Sequence, residues 1–258
     1  MTRKTLFVGS SLTNAFRDWL EPHRSKGGRD ADFLNCHGGF WLRSWLLTEE
    51  PYYIRAGSFV FPHQFVLILQ NGTQCVMPIH ADGPFVRQVG SRIEMDIRNY
   101  DDIVFAAPTL FWDISYWHLY LQGKGLLNRH SKSAFEREGL SIALSEEEFL
   151  RIHEDRFSIA YRFLDDVRAI SNDIPVWIAP SILPGAVRTE FKNGWRELHW
   201  HELRCLDREL SARYGALAME QPASTLDENW VTLPDYLRDD HHHYNSKFVE
   251  ELRKVHDF

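Results

Sequence analysis

Residues 5–16, TLFVGSSLTNAF, decide the architecture. Thr5-Leu6-Phe7-Val8 is a short apolar run ending at Gly9, the pattern of a strand buried on both faces in a parallel sheet. Leu12, Ala15, Phe16, Trp19 and Leu20 then recur at the spacing of one helix face. The chain therefore opens strand, tight turn, helix, with Ser10 and Ser11 in the turn. Lys26-Gly27-Gly28 supplies a stop for that helix.

The same alternation continues. Phe33 to Cys36, Ile103 to Ala107, Val176 to Ala179 and Ala216 to Met219 read as further short strands. Between the last three lie helical patterns. Ser145-Glu146-Glu147-Glu148 is a capping box, and the helix it opens is expected to run to about Ser171. Residues 195–213 are helical in pattern, and Phe248, Leu252 and Val255 suggest a closing helix. Strands alternating with helices in this way predict a three-layer αβα domain around a parallel sheet of about five strands. The whole chain, 1–258, reads as one such domain.

Residues 40–98 depart from the pattern and are expected to form an inserted β-rich segment or cap. Within them FVLILQNGTQCVMPI, residues 65–79, carries Asn71-Gly72 between two apolar runs. That pair is a strong signal for a two-residue type I′ hairpin turn.

Composition narrows the function. The chain has 258 residues, a net charge of −7 and 44% hydrophobic residues, ordinary for a globular protein. Without a long basic run, nucleic acid and anionic membranes are not expected partners. No apolar run is long enough to span a bilayer. Cys36, Cys75 and Cys205 are odd in number and widely spaced, which suits a reducing compartment, and a cytoplasmic location is the simplest expectation. Aromatic residues make up 14% of the chain, either as core or as platforms for sugar rings.

Two stretches can carry chemistry. A serine where a strand turns into a helix has its oxygen exposed and its amide near the helix N-terminus, where developing negative charge is favoured. Ser10 or Ser11 could equally do no more than cap the helix. Near the other end stands DDHHHYN, residues 239–245. Asp240 and His243 are three apart, as are Asp239 and His242, a spacing that lets a carboxylate fix an imidazole tautomer. Such an imidazole is the base a serine hydroxyl needs. A metal site is the rival reading, but adjacent histidines diverge and no standard Cys/His spacing lies nearby.

Together the two ends resemble the SGNH/GDSL hydrolase superfamily. GSSL is similar to its first block, Gly-Asp-Ser-Leu, which implies Ser11 as nucleophile and Ser10 in the aspartate place. Asp240-x-x-His243-x-Asn245 is similar to its last block, and this selects Asp240 and His243 over the Asp239–His242 pair. Asn35-Cys36-His37-Gly38-Gly39 resembles the second block, implying that the amides of Ser11 and Gly38 form an oxyanion hole, with Gly39 the competitor for Gly38. The third block, Gly-x-Asn-Asp, has no match: Ala107-Pro108-Thr109-Leu110-Phe111 stands in its place.

Thr109 and Asn245 are the candidate substrate-binding side chains. His37, Asp82, Trp112, Asp113 and His118 either line the cleft or pack. The resemblance implies a serine esterase or deacetylase acting on an ester, without cofactor or metal; the aromatic richness and the expected cap extend the candidate substrates from small-molecule to carbohydrate esters. An O-acyltransferase using the same residues and a catalytically silent binding protein are the alternatives.

Overall fold

The structure is a computed structural model that describes residues 3–24, 29–36, 38–41, 50–68, 72–106, 124–126, 142–180, 193–228, 231–240 and 243–258. The opening stretch forms β1 (Arg3–Gly9) and α1 (Thr13–Arg24), followed by β2 (Arg29–Cys36). Then come β3 (Tyr53–Arg55), β4 (Ser58–Pro62), β5 (Gln64–Ile68), β6 (Gln74–Asp82), β7 (Arg87–Val89), β8 (Arg92–Asp96) and β9 (Asp102–Ala106). The remainder holds β10 (Lys124–Leu126), β11 (Ile142–Leu144), α2 (Glu146–Arg156), α3 (Ser158–Ile170), β12 (Val176–Ile178), α4 (Asn193–Tyr214), β13 (Leu217–Ala218) and α5 (Ser246–Val255).

The main sheet has seven strands, two more than expected, in the order β13-β12-β9-β1-β2-β6-β5. Its first five are mutually parallel and are the five runs recognised in the sequence. The two extra strands, β6 and β5, add antiparallel to the β2 edge. In sequence order the parallel strands are arranged 2-1-3-4-5, so the direction of winding reverses beside β1. In an open sheet the crevice at that reversal, beyond the carboxyl ends of the strands, is where ligands sit.

Alternate strand residues feed two cores. Leu6 and Val8 of β1, Ile103 and Phe105 of β9, and Val176 and Ile178 of β12 join a cluster shared with α2, α3 and α4. Phe7, Phe33 and Val104 face the other way, against α1 and α5. Helices therefore cover both faces.

β3, β4, β8 and β7 form a separate antiparallel sheet, and aromatic rings weld it to the first core. Phe59 lies 4.9 Å from Phe163 of α3, Phe163 lies 5.4 Å from Phe105, and Trp41 lies 5.1 Å from Phe105, centroid to centroid. Each fully buried ring contributes about 1.5–3 kcal/mol, more than a surface ion pair supplies. The described aromatic residues thus go largely into packing.

Two local expectations differ from the structure. The helix expected from 145 to 171 is broken at Phe157, whose φ of −102° and ψ of 27° end α2 and start α3. The capping box at its start is present, with Ser145 accepting from the Glu148 amide. The β5–β6 hairpin is in register about residue 71, since Gln64 faces Pro78 and Ile68 faces Gln74. Its connection therefore has an odd number of residues, which a two-residue type I′ turn cannot give. Gly72 has a φ of 81°, in the left-handed region that favours glycine, and Asn71 lies outside the described residues.

A second constraint lies beside β6. Asp32 of β2 is fully buried and accepts from the Phe85 amide at 3.0 Å and the Tyr100 hydroxyl at 2.6 Å. Burial, then the Asp32 carboxylate, push the Tyr100 phenol well above its ordinary value, so it stays a donor. Gly83, with φ of 131°, packs against this carboxylate: a Cβ there would stand 2.0 Å from Asp32 Oδ1 and 2.7 Å from its Cα.

Candidate active site

The turn between β1 and α1 separates its two serines. Ser10 is buried, and its hydroxyl donates to the Ala106 carbonyl at 3.2 Å, tying the tip of β1 to the tip of β9. Its backbone carbonyl takes both the Thr13 amide and the Thr13 hydroxyl, which closes the first turn of α1. Ser11 is half-buried and its hydroxyl points elsewhere, to His243 Nε2 at 2.6 Å. The Ser10 hydroxyl also accepts from the Leu12 amide at 3.5 Å, so Ser10→Ala is expected to lower stability by about 1–2 kcal/mol, the worth of these two hydrogen bonds, while leaving the Ser11 hydroxyl in place. Thermal melts alongside covalent labelling of the serine check this.

His243 arrives 232 residues later in the chain. Its Nδ1 lies 2.7 Å from Asp240 Oδ2, and its own amide donates to Asp240 Oδ1 at 3.0 Å. An ionised carboxylate only accepts, so Nδ1 carries the proton and Nε2 presents its lone pair. The Ser11 hydroxyl then donates to Nε2. This is the tautomer a general base needs.

The segment around His243 is held on every side. Leu237 and Tyr244 form an antiparallel bridge, and the Arg238 amide donates to the His243 carbonyl at 2.8 Å. Tyr244, the next residue, is fully buried, stacks on Phe248 at 3.7 Å and donates its hydroxyl to the Pro180 carbonyl just beyond β12. Burial pushes its phenol well up, so the hydroxyl remains a donor. The Arg238 guanidinium also donates to the Tyr244 carbonyl at 3.2 Å and to Asp18 on α1. The imidazole is thus referenced both to the sheet and to the helix that follows Ser11.

Asn245 has a different post from the one expected. Its Oδ1 accepts from the Phe248 amide at the start of α5, and its Nδ2 donates to the carbonyls of Asp235 at 2.8 Å and Leu237 at 3.0 Å. Its side chain is committed to the turn that carries His243.

Gly38 opens a short 3₁₀ turn, Gly38–Trp41, two residues beyond the tip of β2, and buried Phe40 and Trp41 anchor that turn. The Ser11 amide has no acceptor among the described residues. Thr109, His37, Trp112, Asp113, His118, His241 and His242 lie outside the described residues. Asp82, at the end of β6, pairs with Arg17 of α1 at 3.0 Å. Among the described residues no group of three His, Cys, Asp or Glu side chains is arranged to hold a metal, and no helix is long and apolar enough to cross a membrane.

Sequence reasoning named Asn35 within the second-block resemblance without giving it a role, and did not pick out Asn14, Arg238, Asp18 or Tyr244. Asn14 was within reach, standing one helical turn after Ser11; its amide donates to the Ser11 carbonyl at 3.1 Å. A groove of about 560 Å³ lies at the other rim of the sheet, lined by Arg168, Asp173, Ile174, Pro175 and Tyr214 where the chain enters β12. It takes no part in the arrangement at Ser11.

No known family description matches the chain, and no curated protein matches it. Solved structures similar to it include the following two. One is a candidate acylhydrolase from Bacteroides fragilis, 11% identical, covering 98% of this chain and 84% of that one with a TM-score of 0.40. The other is a DUF4886 family protein from Bacteroides uniformis, 11% identical, covering 95% and 77%, with a TM-score of 0.42.

Proposed function

We propose that this protein is a serine hydrolase of the SGNH type that cleaves an O-acyl ester through an acyl-enzyme on Ser11. The observation that carries this is the alignment of Ser11 Oγ, His243 and Asp240, at 2.6 Å and 2.7 Å, at the winding reversal of the sheet. A serine hydroxyl barely ionises near neutral pH, and a base held in one tautomer by a carboxylate removes that obstacle. As the Ser11 oxygen bonds to the acyl carbon, its proton passes to His243 Nε2. The tetrahedral intermediate collapses, the ester C–O bond breaks, and the same proton leaves with the alcohol. Water then repeats the sequence, releasing the acid and restoring the Ser11 hydroxyl. Asp240 keeps its charge throughout and balances the imidazolium.

A fluorophosphonate probe tests the nucleophile. Wild type is expected to be labelled and Ser11→Ala not. Labelling that persists in Ser11→Ala, or fails in a folded wild type, overturns the proposal; the second outcome is that of a silent binding protein. Turnover of an aryl ester with and without a sugar acceptor then separates release to water from transfer to a hydroxyl.

A further inference from the structure

Acyl transfer through a serine places a full negative charge on the substrate carbonyl oxygen, and each preorganised donor aimed at that oxygen is worth roughly a hundredfold to a thousandfold in rate. The Ser11 amide is one such donor. We propose, resting on the hydrolase reading above, that the side-chain amide of Asn14 is another, and that Asn35 sets the direction in which it faces.

Three observations carry this. Asn14 sits in the first turn of α1, three residues after Ser11, and helical side chains lean back toward the N-terminus, here toward the turn that holds Ser11. Asn35 stands directly beside Gly9 in the β1–β2 register, at the rim where β1 gives way to that turn. The two side chains meet there: Asn35 Nδ2 donates to Asn14 Oδ1 at 3.1 Å, and both residues are half-buried. A carboxamide whose oxygen is engaged on one side presents its N–H groups on the other. Asn14 Nδ2 has no acceptor among the described residues. The result is a fixed amide donor at the crevice, on the β2 side of the nucleophile, where the Gly38 turn also begins. No step moves a proton to or from Asn14; it only donates a hydrogen bond that strengthens as the oxyanion forms.

The experiment uses two variants of the full chain and an aryl ester. Asn14→Asp keeps the shape and replaces the donor by an acceptor; kcat is expected to fall about 100- to 1000-fold with KM changed only a few-fold. Asn35→Asp leaves Asn14 untouched, but a carboxylate at 35 only accepts, so Asn14 turns its nitrogen toward it and its oxygen toward the substrate. A drop in kcat of tenfold or more is expected there too. A merely structural role for the pair predicts little change, because the hydrogen bond between the two positions survives in both variants, in the same direction in Asn14→Asp and reversed in Asn35→Asp. Thermal midpoints accompany both variants. Should Asn14→Asp fail to fold, Asn35→Asp decides alone. Wild-type kcat in folded Asn35→Asp overturns this proposal; if Ser11→Ala is inactive in the same assay, the hydrolase reading stands. Activity in Ser11→Ala overturns that reading itself.

Discussion

His243→Ala is expected to slow ester turnover at least about 10⁴-fold, with the substrate concentration at half-maximal rate changed little. The reason is geometric. Ser11 Oγ is bonded to His243 Nε2 at 2.6 Å, and no other described side chain is bonded to that hydroxyl. Without the imidazole the hydroxyl keeps its proton, and the departing alcohol has no acid to protonate it. Asp240→Asn should cost no more than that, up to about 10⁴-fold. The carboxylate of Asp240 is 45% exposed, so water can partly replace it beside the imidazolium. The double variant is expected to match His243→Ala alone, because groups that act as a unit are not additive. Initial rates of the three variants test this. A multiplicative loss in the double variant would mean that Asp240 acts independently of His243.

The largest structural effect is expected at Gly83. Gly83→Ala should destabilise the fold by about 3–5 kcal/mol, the sum of backbone strain and overpacking. The positive φ of 131° already disfavours a side chain, and the new Cβ would stand 2.7 Å from the Cα of Asp32, which is backbone and cannot swing aside. Moving the Asp32 carboxylate would in turn release the Phe85 amide and the Tyr100 hydroxyl inside the protein. For a chain of this size the melting midpoint should drop by roughly 6–20 °C. Thermal denaturation measures it. A midpoint within 2 °C of wild type would show that β2 and β6 separate more easily than the packing implies.

The parallel frame could be read from the sequence because each of its strands is a short apolar run followed by a helical pattern. The addition of β6 and β5 could not. Periodicity marks a strand but does not name its partner, and nothing in residues 74–82 says that Asn35 will face His80. The break at Phe157 was hidden for a similar reason, since neither glycine nor proline marks it. For Ser11, His243 and Asp240, spacing offered two serines and two Asp–His pairs, and the resemblance to the SGNH blocks chose among them; the fold brings the chosen three side by side. Asn14 and Asn35 were not legible as a pair, since folding alone brings them together across 21 positions. Asn245 shows the opposite case: its place after the histidine was noticed, while its work in capping α5 emerged only with the backbone around it.

The separation of 232 positions between the hydroxyl and its base has a consequence for biosynthesis. At ordinary translation speeds of about 5–20 residues per second, the serine leaves the ribosome roughly 10–50 s before the imidazole is made. On the hydrolase reading proposed above, the nascent polypeptide carries an unarmed nucleophile throughout that interval, and a stalled product ending before position 243 is expected to stay inert however well its sheet had begun to form.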